Sequence, residues 1–162
     1  RVLVFQSLSK RSSAPGLRSG AVLGGAGAIA AMKQLRAYGG APLPLPMQRV
    51  AEVAWADEAH VTANRALYQE KYAIADRILG NVLGYLPPEG GFFLWLPVED
   101  GEAAARRLWA EAGVQVLPGA YLSRDVSGQN PGAGFIRVAL VGPAAETEEA
   151  LTRIRDLLYE EG

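Results

Sequence analysis

The sequence predicts an α/β fold, and three features of the chain lead to that prediction. Short apolar runs, beginning with Val2–Phe5, are typical of buried strands. Longer segments repeat apolar residues at the spacing of a helix with one buried face. Stretches rich in glycine and proline separate these segments and mark turns. Because 49% of the 162 residues are hydrophobic and 20% are charged, the composition is that of one globular domain or of parts of two.

The first forty residues predict a strand, a loop, a second strand and a helix. Val2–Phe5 is expected to be a short, fully buried strand of the kind found in parallel sheets, whose carboxyl end delivers residues 7–10 into a loop. Gly20–Leu23 is expected to be the second strand. Apolar residues recur at three-residue spacing over Gly27–Tyr38, and this spacing predicts an amphipathic helix.

The middle of the chain predicts an extended link followed by long helices. Prolines at alternate positions from Pro42 to Pro46 predict an extended path. Residues 47–83 carry apolar faces and predict one or two long helices. Residues 84–91 combine prolines and glycines and predict a boundary. The expected parts are the end of a large domain at 1–48, linking helices at 49–85 and a small α/β domain at 86–162.

The last part of the chain predicts a small α/β unit of alternating strands and helices. Apolar runs predict the strands, and one-sided apolar patterns predict the helices. Residues 123–134 are expected to form a loop because they are rich in Ser, Gly, Asn and Pro. The expected strands are Phe92–Leu96, Val114–Leu117 and Phe135–Val141, and the expected helices are Glu102–Ala112 and Pro143–Glu160.

Composition argues against several classes of function. A net charge of −1 from 16 basic and 17 acidic side chains offers no basic field for nucleic acid or for an anionic membrane surface. The chain has no cysteine, so it forms no disulfide or thiolate metal site, which fits a reducing, cytoplasmic compartment. No apolar run approaches the ~20 residues of a membrane span. The acidic residues show no spacing that predicts a metal site.

The start of the chain favours a part of a longer polypeptide. Residue 1 is Arg1 rather than methionine, and the chain continues directly into the apolar run Val2–Phe5. We therefore expect a C-terminal fragment of a longer protein. The alternative is a small protein that is complete apart from trimming at its N-terminus.

Residues 7–20 carry the groups that a covalently held phosphate cofactor needs. Lys10 follows an apolar run, and a lysine forms imines when burial and nearby cations favour loss of its proton. Ser7 and Ser9 offer hydroxyls, and Arg18 offers a guanidinium that makes paired contacts with a phosphate dianion. Spacing alone also allows a solvated basic loop after a strand.

Arg137 is the second candidate, because it interrupts the apolar run Phe135–Val141. Burying a guanidinium is costly without an anionic partner, so Arg137 is a candidate for binding a carboxylate. The alternative is an arginine of an edge strand that points into water.

The stretch from Ser7 to Gly20 closely resembles the pyridoxal-phosphate attachment site of class I/II aminotransferases of fold type I. The resemblance implies that Lys10 holds pyridoxal 5'-phosphate as a Schiff base, and that Ser7 and Arg18 bind its phosphate. It also implies that Ser9 occupies the small-residue position beside the lysine in the cofactor site. The residue after Arg18 departs from the usual apolar residue of the family.

The resemblance continues through the small domain. Gly90–Leu96, Leu117–Gly119 and Asn130–Gly134 are similar to segments of this family, and they surround the position of Arg137. The resemblance implies that Arg137 forms a bidentate pair with the α-carboxylate of the substrate. It also implies a homodimer and the C-terminal part of a pyridoxal-phosphate-dependent transferase fold, roughly its last two-fifths. Cofactor-pairing residues of the family precede the lysine by many positions, so we expect the isolated chain to be inactive or nearly so.

Within the family, several stretches are most similar to bacterial succinyldiaminopimelate aminotransferases. These are Phe5–Ser12, Tyr38–Pro46 and Val116–Ser123. They imply transfer of an amino group between N-succinyl-diaminopimelate and 2-oxoglutarate in lysine biosynthesis. The alternatives are an aminotransferase for aspartate, alanine or aromatic amino acids, and a catalytically silent interaction module.

Arg36 and His60 are two further residues for which the sequence suggests a role or a location. Arg36 precedes the proline-rich segment, which in the family approaches the active site of the partner subunit, so our hypothesis is that Arg36 helps to recognise the distal part of the substrate. His60 is the only histidine in the sequence and is expected to be a solvated side chain on a helix surface.

Overall fold

The computed structural model describes residues 2–40 and 42–160. It forms two compact units, Arg1–Arg65 and Ala66–Gly162. Arg1, at the start of the chain, and Ala41, in the proline-rich segment, lie outside the described residues. Glu161 and Gly162 lie outside them as well. The division into parts at 1–48, 49–85 and 86–162 remains a prediction.

The first unit begins with a hairpin rather than with a parallel sheet. Strand β1 (Leu3–Ser7) leads into the short helix α1 (Leu8–Arg11) and a 3₁₀ turn (Pro15–Leu17), and strand β2 (Gly20–Gly24) returns antiparallel to β1. The expected fully buried parallel strand is therefore wrong, since Phe5 is 65% exposed. Its apolar run was the reason for that expectation, but within the described residues β1 belongs to a two-stranded sheet with β2.

Three helices follow the hairpin. Helix α2 (Ala26–Tyr38) confirms the helix that the spacing predicts, although none of its residues is buried. Helices α3 (Leu45–Ala56) and α4 (Ala59–Leu79) show that the long helical stretch is two helices. Pro46 lies inside the first turn of α3, which corrects the expected extended path at that residue. Proline is tolerated there because the first N–H groups of a helix have no partner within the helix.

The second unit contains an antiparallel sheet of three strands. Strand β3 (Phe93–Pro97) is followed by helix α5 (Gly101–Arg107), which continues through a π-helical turn (Leu108–Ala112) to Gly113. Strand β4 (Leu117–Pro118), a 3₁₀ turn (Gly119–Leu122), strand β5 (Phe135–Ala139) and helix α6 (Ala144–Leu158) complete the unit. The strand order is β3-β5-β4, so β5 is central.

One predicted strand in this unit is much shorter than expected. Strand β4 consists of Leu117 and Pro118, which pair with β5, whereas the sequence predicts a strand over Val114–Leu117. The N–H of Val114 donates to the carbonyl of Leu108 at 3.1 Å. That N–H therefore closes the end of the preceding helix instead of joining a sheet.

The core of the second unit lies on one face of the sheet. Alternate residues of β3 and β5 are buried there against α4, the π-helical turn and α6, as alternation along strands requires. The other face carries side chains that are partly exposed, among them Trp95 and Arg137. The fully buried residues of this core include Leu79, Leu94, Leu96, Leu108, Ile136, Leu151 and Ile154.

No helix in the described part of the chain is long and apolar enough to cross a membrane.

Candidate functional site

The hairpin of the first unit gathers the candidate residues near Lys10 at one end. In the β1–β2 register, Ser7 lies opposite Gly20. Residues 8–19, which we call the Lys10 loop, therefore leave and re-enter the sheet at the same point. Lys10 and Arg18 both belong to this loop, and Ser7 is the last residue before it. Pairing of the two strands thus brings a lysine, a serine and an arginine to one end of a small sheet.

A single helical turn presents Lys10. Ser7 caps helix α1, because its Oγ accepts a hydrogen bond from the N–H of Ser9 at 3.1 Å. Leu8 is fully buried and anchors the turn. Ser9 is half-buried, and Lys10 lies exposed in the last turn. The burial of Leu8 and the N-cap formed by Ser7 together fix where the Lys10 side chain leaves the backbone.

The far end of the Lys10 loop holds Arg18. Its backbone is left-handed, with φ at 51°, and its Nη1 donates to the carbonyl of Pro15 at 2.9 Å. Within residues 2–40 and 42–160, no carboxylate forms an ion pair with Arg18. Ser19 closes the loop: its carbonyl accepts from the N–H of Leu8 at 3.1 Å, and its hydroxyl accepts from Nε1 of Trp55 at 3.2 Å. The guanidinium of Arg18 is therefore held beside the loop closure and is exposed.

Arg11, the residue after Lys10, is bound to the end of helix α3. Its side chain is only 13% exposed. The guanidinium donates to the carbonyl of Ala54 at 2.8 Å and to those of Trp55 and Asp57 at 3.4 Å, and it forms an ion pair with Glu58. It also lies 5.3 Å from the Trp55 ring centroid. A cation at these carbonyls satisfies acceptors that a helix end leaves open.

His60 joins the same region and corrects an expectation. The sequence predicts a solvated histidine, but the side chain is 33% exposed and both ring nitrogens are hydrogen-bonded. Nδ1 lies 2.7 Å from Oδ2 of Asp57, and Nε2 lies 2.9 Å from Oγ of Ser12. The hydrogen bond with His60 and that with the N–H of Ala59 lower the pKa of the Asp57 carboxyl. The sequence signal that predicts this interaction is the spacing of Asp57 and His60, since an aspartate three residues before a histidine at the start of a helix can bond to the ring.

Arg137 occupies the centre of the sheet in the second unit. It lies on β5, opposite Trp95 of β3 and Leu117 of β4, so the alternative of an edge-strand arginine is excluded. Its guanidinium carbon lies 4.3 Å from the ring centroid of Phe93. Among the described residues, Arg137 is in no ion pair with a carboxylate. The strand therefore presents a half-buried cation above an aromatic ring.

Close backbone packing supports this face of the sheet. The rings of Trp95 and Phe135 stack with centroids 5.4 Å apart. A Cβ on Gly119 would lie 2.8 Å from the Trp95 ring and 2.4 Å from the carbonyl oxygen of Gly132. Asn130 braces the loop, since its Oδ1 accepts from the N–H of Gly132 at 2.9 Å. The segments Leu117–Gly119 and Asn130–Gly134, singled out in the sequence, thus pack against each other beside β5.

Arg36 lies in the last turn of helix α2 and is exposed. Arg36 and the Lys10 loop belong to the first unit, whereas Arg137 belongs to the second. Groups of three or more His, Cys, Asp or Glu residues suited to a metal ion are absent from the described residues.

Comparison with known proteins identifies a family over nearly the whole chain. The model of the family described as aminotransferase class I and II matches residues 1–154. The transaminase OxyQ of Streptomyces rimosus, which acts on 4-dedimethylamino-4-oxo-anhydrotetracycline, is 30% identical over 158 residues, covering 94% of this chain and 41% of its own length. The chain thus spans about two-fifths of this curated relative.

Solved structures agree with the sequence comparison. An aminotransferase from Neisseria meningitidis superposes with a TM-score of 0.89 at 45% identity, over 96% of this chain and 40% of that one. A probable N-succinyldiaminopimelate aminotransferase from Thermus thermophilus gives a TM-score of 0.81 at 31% identity, over 98% of this chain and 42% of that one.

Proposed function

Because the chain belongs to the class I and II aminotransferase family, we propose that it supplies the lysine-bearing segment and the small domain of an aminotransferase. Such an enzyme moves an amino group between an amino acid and a 2-oxo acid. Enzymes of this family depend on pyridoxal phosphate. The activity belongs to the complete enzyme that carries this segment, since the relatives are about two and a half times longer.

The observation that carries the proposal is the β1–β2 register, in which Ser7 lies opposite Gly20 at the end of the hairpin from which the loop with Lys10 and Arg18 extends. Pyridoxal phosphate has an aldehyde that reacts with an amine and a phosphate dianion that requires donors. Lys10 offers the amine, and Ser7 offers a hydroxyl. Arg18 offers a guanidinium that is exposed and pairs with no carboxylate in the described chain. This donor set fits the cofactor in both charge and chemical type.

Each residue has a distinct role in the proposed reaction. The cofactor, when bound, withdraws electrons from the substrate carbon that loses its proton. Lys10 would hold the cofactor at rest, and its freed amine would take the proton from the α-carbon of the substrate and deliver it to the C4′ carbon of the cofactor, acting as a base and then as an acid. Ser7, Ser9 and Arg18 bind the phosphate and so fix the position of the ring. Correct placement of Lys10 matters because proton transfer requires hydrogen-bond distance.

Arg137 is proposed to bind the α-carboxylate of the amino acid. A guanidinium makes two parallel hydrogen bonds with a carboxylate, and such a pair fixes both position and orientation. The placement of Arg137 on the central strand supports this role, because its backbone is hydrogen-bonded within a sheet rather than a loop. Orientation by a fixed cation lowers the entropic cost of reaching the reactive geometry.

We further propose N-succinyl-diaminopimelate as the amino donor, with 2-oxoglutarate as the acceptor. The similar sequence stretches Phe5–Ser12, Tyr38–Pro46 and Val116–Ser123 support this choice, as does the likeness to the Thermus thermophilus protein. Arg36 is proposed to recognise the distal end of that substrate in a cytoplasmic homodimer. Aspartate, alanine and aromatic amino acids are the alternative donors, and a silent interaction module is the alternative of another class.

A donor screen with the complete enzyme tests this proposal. Transfer to 2-oxoglutarate is measured with each of the four donor types, for the wild type, Arg36→Ala and the control Arg49→Ala, an exposed arginine of α3. The proposal expects the highest kcat/KM with N-succinyl-diaminopimelate. In Arg36→Ala, kcat/KM should fall for this donor and not for the others, and in Arg49→Ala it should not change. Preference for another donor overturns the substrate, and unchanged discrimination in Arg36→Ala overturns the role of Arg36. Absence of transfer with every donor overturns the proposed activity.

A further inference from the structure

We do not expect the local hydrogen bonds of the Lys10 loop to hold its conformation by themselves. Helix α1 has only four residues, and a helix this short is not stable by itself. Two non-glycine residues of the loop, Ser13 and Arg18, have left-handed backbone with φ at 49° and 51°. Such conformations are unfavourable for residues with a Cβ. Contacts from outside the loop must therefore stabilise it.

These contacts come from the α3–α4 junction, residues 54–60. Arg11 donates to the carbonyls at the end of α3, and Trp55 donates to Ser19. His60 reaches Ser12, which follows Lys10 by two positions. The junction thus contacts the loop both directly after Lys10 and directly after Arg18. Both ends of the proposed cofactor site are tied to one structural element.

The contact through Ser12 bears most directly on Lys10. Ser12 is the C-cap of α1, and its N–H donates to the carbonyl of Leu8 at 3.0 Å. The N–H of Ala14 donates to the same carbonyl at 3.1 Å. Fixing Ser12 therefore fixes the closing bond of the one helical turn from which the Lys10 side chain leaves the backbone.

Asp57 sets the orientation of the His60 ring. Its Oδ1 accepts from the N–H of Ala59 at 2.8 Å and so attaches the carboxylate to the start of α4. An ionised carboxylate only accepts, so Nδ1 of His60 donates to Oδ2. In the neutral ring, Nε2 then accepts the hydroxyl proton of Ser12. The hydrogen bonds of Asp57, His60 and Ser12 thus form a continuous series from the start of α4 to the turn that carries Lys10. Both carboxylate oxygens, both ring nitrogens and the serine hydroxyl take part in it.

From this geometry we propose that His60 is a positioning residue for Lys10, acting through Ser12 and oriented by Asp57. The inference rests on the proposed function, because it assigns His60 to the site in which Lys10 would hold pyridoxal phosphate. His60 touches neither cofactor nor substrate in this role. It keeps the turn of α1 closed, so that the amine of Lys10 and the guanidinium of Arg18 face one bound molecule.

The experiment compares His60→Gln, His60→Ala and Ser12→Ala with the wild type in the complete enzyme. The control is Thr62→Ala, which removes a hydroxyl on the same helix that donates to the carbonyl of Glu58 at 3.1 Å. Hydrogen exchange is measured on the cofactor-free enzyme, and pyridoxal-phosphate affinity is measured by absorbance titration. We expect faster exchange in residues 8–14 and affinity lower by about three- to tenfold, the range that one hydrogen bond supplies. Exchange in β3 serves as the internal reference for intact folding.

A double-mutant cycle sharpens the test. If His60 acts through Ser12, the pair Ser12→Ala and His60→Ala weakens affinity no more than the larger single change. Additive effects, or exchange in residues 8–14 that equals the Thr62→Ala control, would overturn the inference. The proposed function is judged separately by the wild type: if borohydride fails to trap cofactor on Lys10 there, that function falls. If trapping succeeds and all variants behave alike, only the role of His60 falls.

Discussion

The guanidinium carbon of Arg137 lies 4.3 Å from the ring centroid of Phe93 on the neighbouring strand. This distance is within the range at which the negative face of an aromatic ring attracts a cation. The two residues are diagonal neighbours on adjacent paired strands, so their side chains leave the same face of the sheet within reach of each other. The ring thus holds the guanidinium in a set direction without neutralising it, which a carboxylate neighbour would do.

Replacing Phe93 by leucine is expected to weaken substrate binding through Arg137. Loss of the aromatic face removes about 0.5–1 kcal/mol of attraction, so KM for the amino acid should rise about two- to fivefold while kcat changes little. Steady-state kinetics of the complete enzyme measure this. Tyr68→Leu is the matched control, since Tyr68 lies 5.0 Å from Nζ of Lys71 in a similar cation–ring contact. An equal rise of KM in both variants would contradict the account.

The Asp57 carboxyl should make the free energy of unfolding depend on pH in the acidic range. Hydrogen bonds from His60 and Ala59 lower its pKa, so the folded state favours the ionised form. That stabilisation is fully present above the unfolded pKa of about 4 and is lost as the pH falls through the lower folded value. Asp57→Asn should therefore be less stable than the wild type at neutral pH, and the difference should shrink in acid.

Urea unfolding at a series of pH values measures this difference. Glu52→Gln is the control, because Glu52 forms an exposed pair with Arg49 and its removal should change stability by no more than about 0.5 kcal/mol. A difference between Asp57→Asn and the wild type that grows in acid would have the wrong sign.

Tyr159 produces the opposite dependence at alkaline pH. Burial raises the pKa of its phenol to about 12, and the hydroxyl donates to the carbonyl of Pro97 at 2.9 Å. The folded state therefore favours the neutral phenol. This stabilisation is complete below the unfolded pKa of about 10 and is lost as the pH rises towards the folded value. Relative to Tyr159→Phe, the wild type should lose stability over this range, as measured by urea midpoints.

Tyr38 supplies the control for the alkaline experiment, since its side chain is 86% exposed. Tyr38→Phe should follow the wild type at every pH. If Tyr159→Phe also follows the wild type through the alkaline range, the burial of the Tyr159 phenol does not govern its titration.

Gly132 is expected to be intolerant of a side chain. A Cβ there would lie 2.3 Å from the carbonyl oxygen of Gly119 and 2.4 Å from Oγ of Ser123. Relief of that overlap requires backbone movement, so Gly132→Ala should lower the free energy of unfolding by about 1–3 kcal/mol. Gly90→Ala is the control, because nothing lies within 4 Å of a Cβ at Gly90. Equal stabilities of the two variants in denaturant would contradict the packing described.

The sequence alone predicts the helices that are determined by local apolar spacing or by a residue at the helix end. Helix α2 follows from apolar spacing, and the helix before Gly113 ends where that glycine adopts a φ of 65°. Helix α6 follows from its one apolar face. In each case the determining interactions lie within a few residues of one another along the chain.

Elements that depend on distant partners were harder to predict. The apolar run at β1 has the same composition whether it joins a parallel sheet or pairs with β2 in an exposed hairpin. The roles of His60 and Ser12 depend on a contact between residues 48 positions apart. The central position of Arg137 likewise depends on strand order, which periodicity does not determine.

The roles of the candidate residues come from a resemblance, whereas residue type and position along the chain single out the residues themselves. Spacing alone favours a solvated basic loop at Lys10 over a cofactor site. The hairpin register adds the placement of Ser7 and Arg18 at the same end of the sheet. Their roles in binding the cofactor are a proposal, and it depends on whether Lys10 forms a Schiff base with pyridoxal phosphate.

Borohydride trapping is the most direct test of the central claim that Lys10 carries the cofactor. The complete enzyme is incubated with pyridoxal phosphate, reduced and digested, and the modified peptide is identified by mass spectrometry. The account predicts a phosphopyridoxyl group on Lys10, its loss in Lys10→Ala, and its retention in the control Lys33→Ala on helix α2. Trapping on a different lysine, or undiminished trapping in Lys10→Ala, would contradict the account.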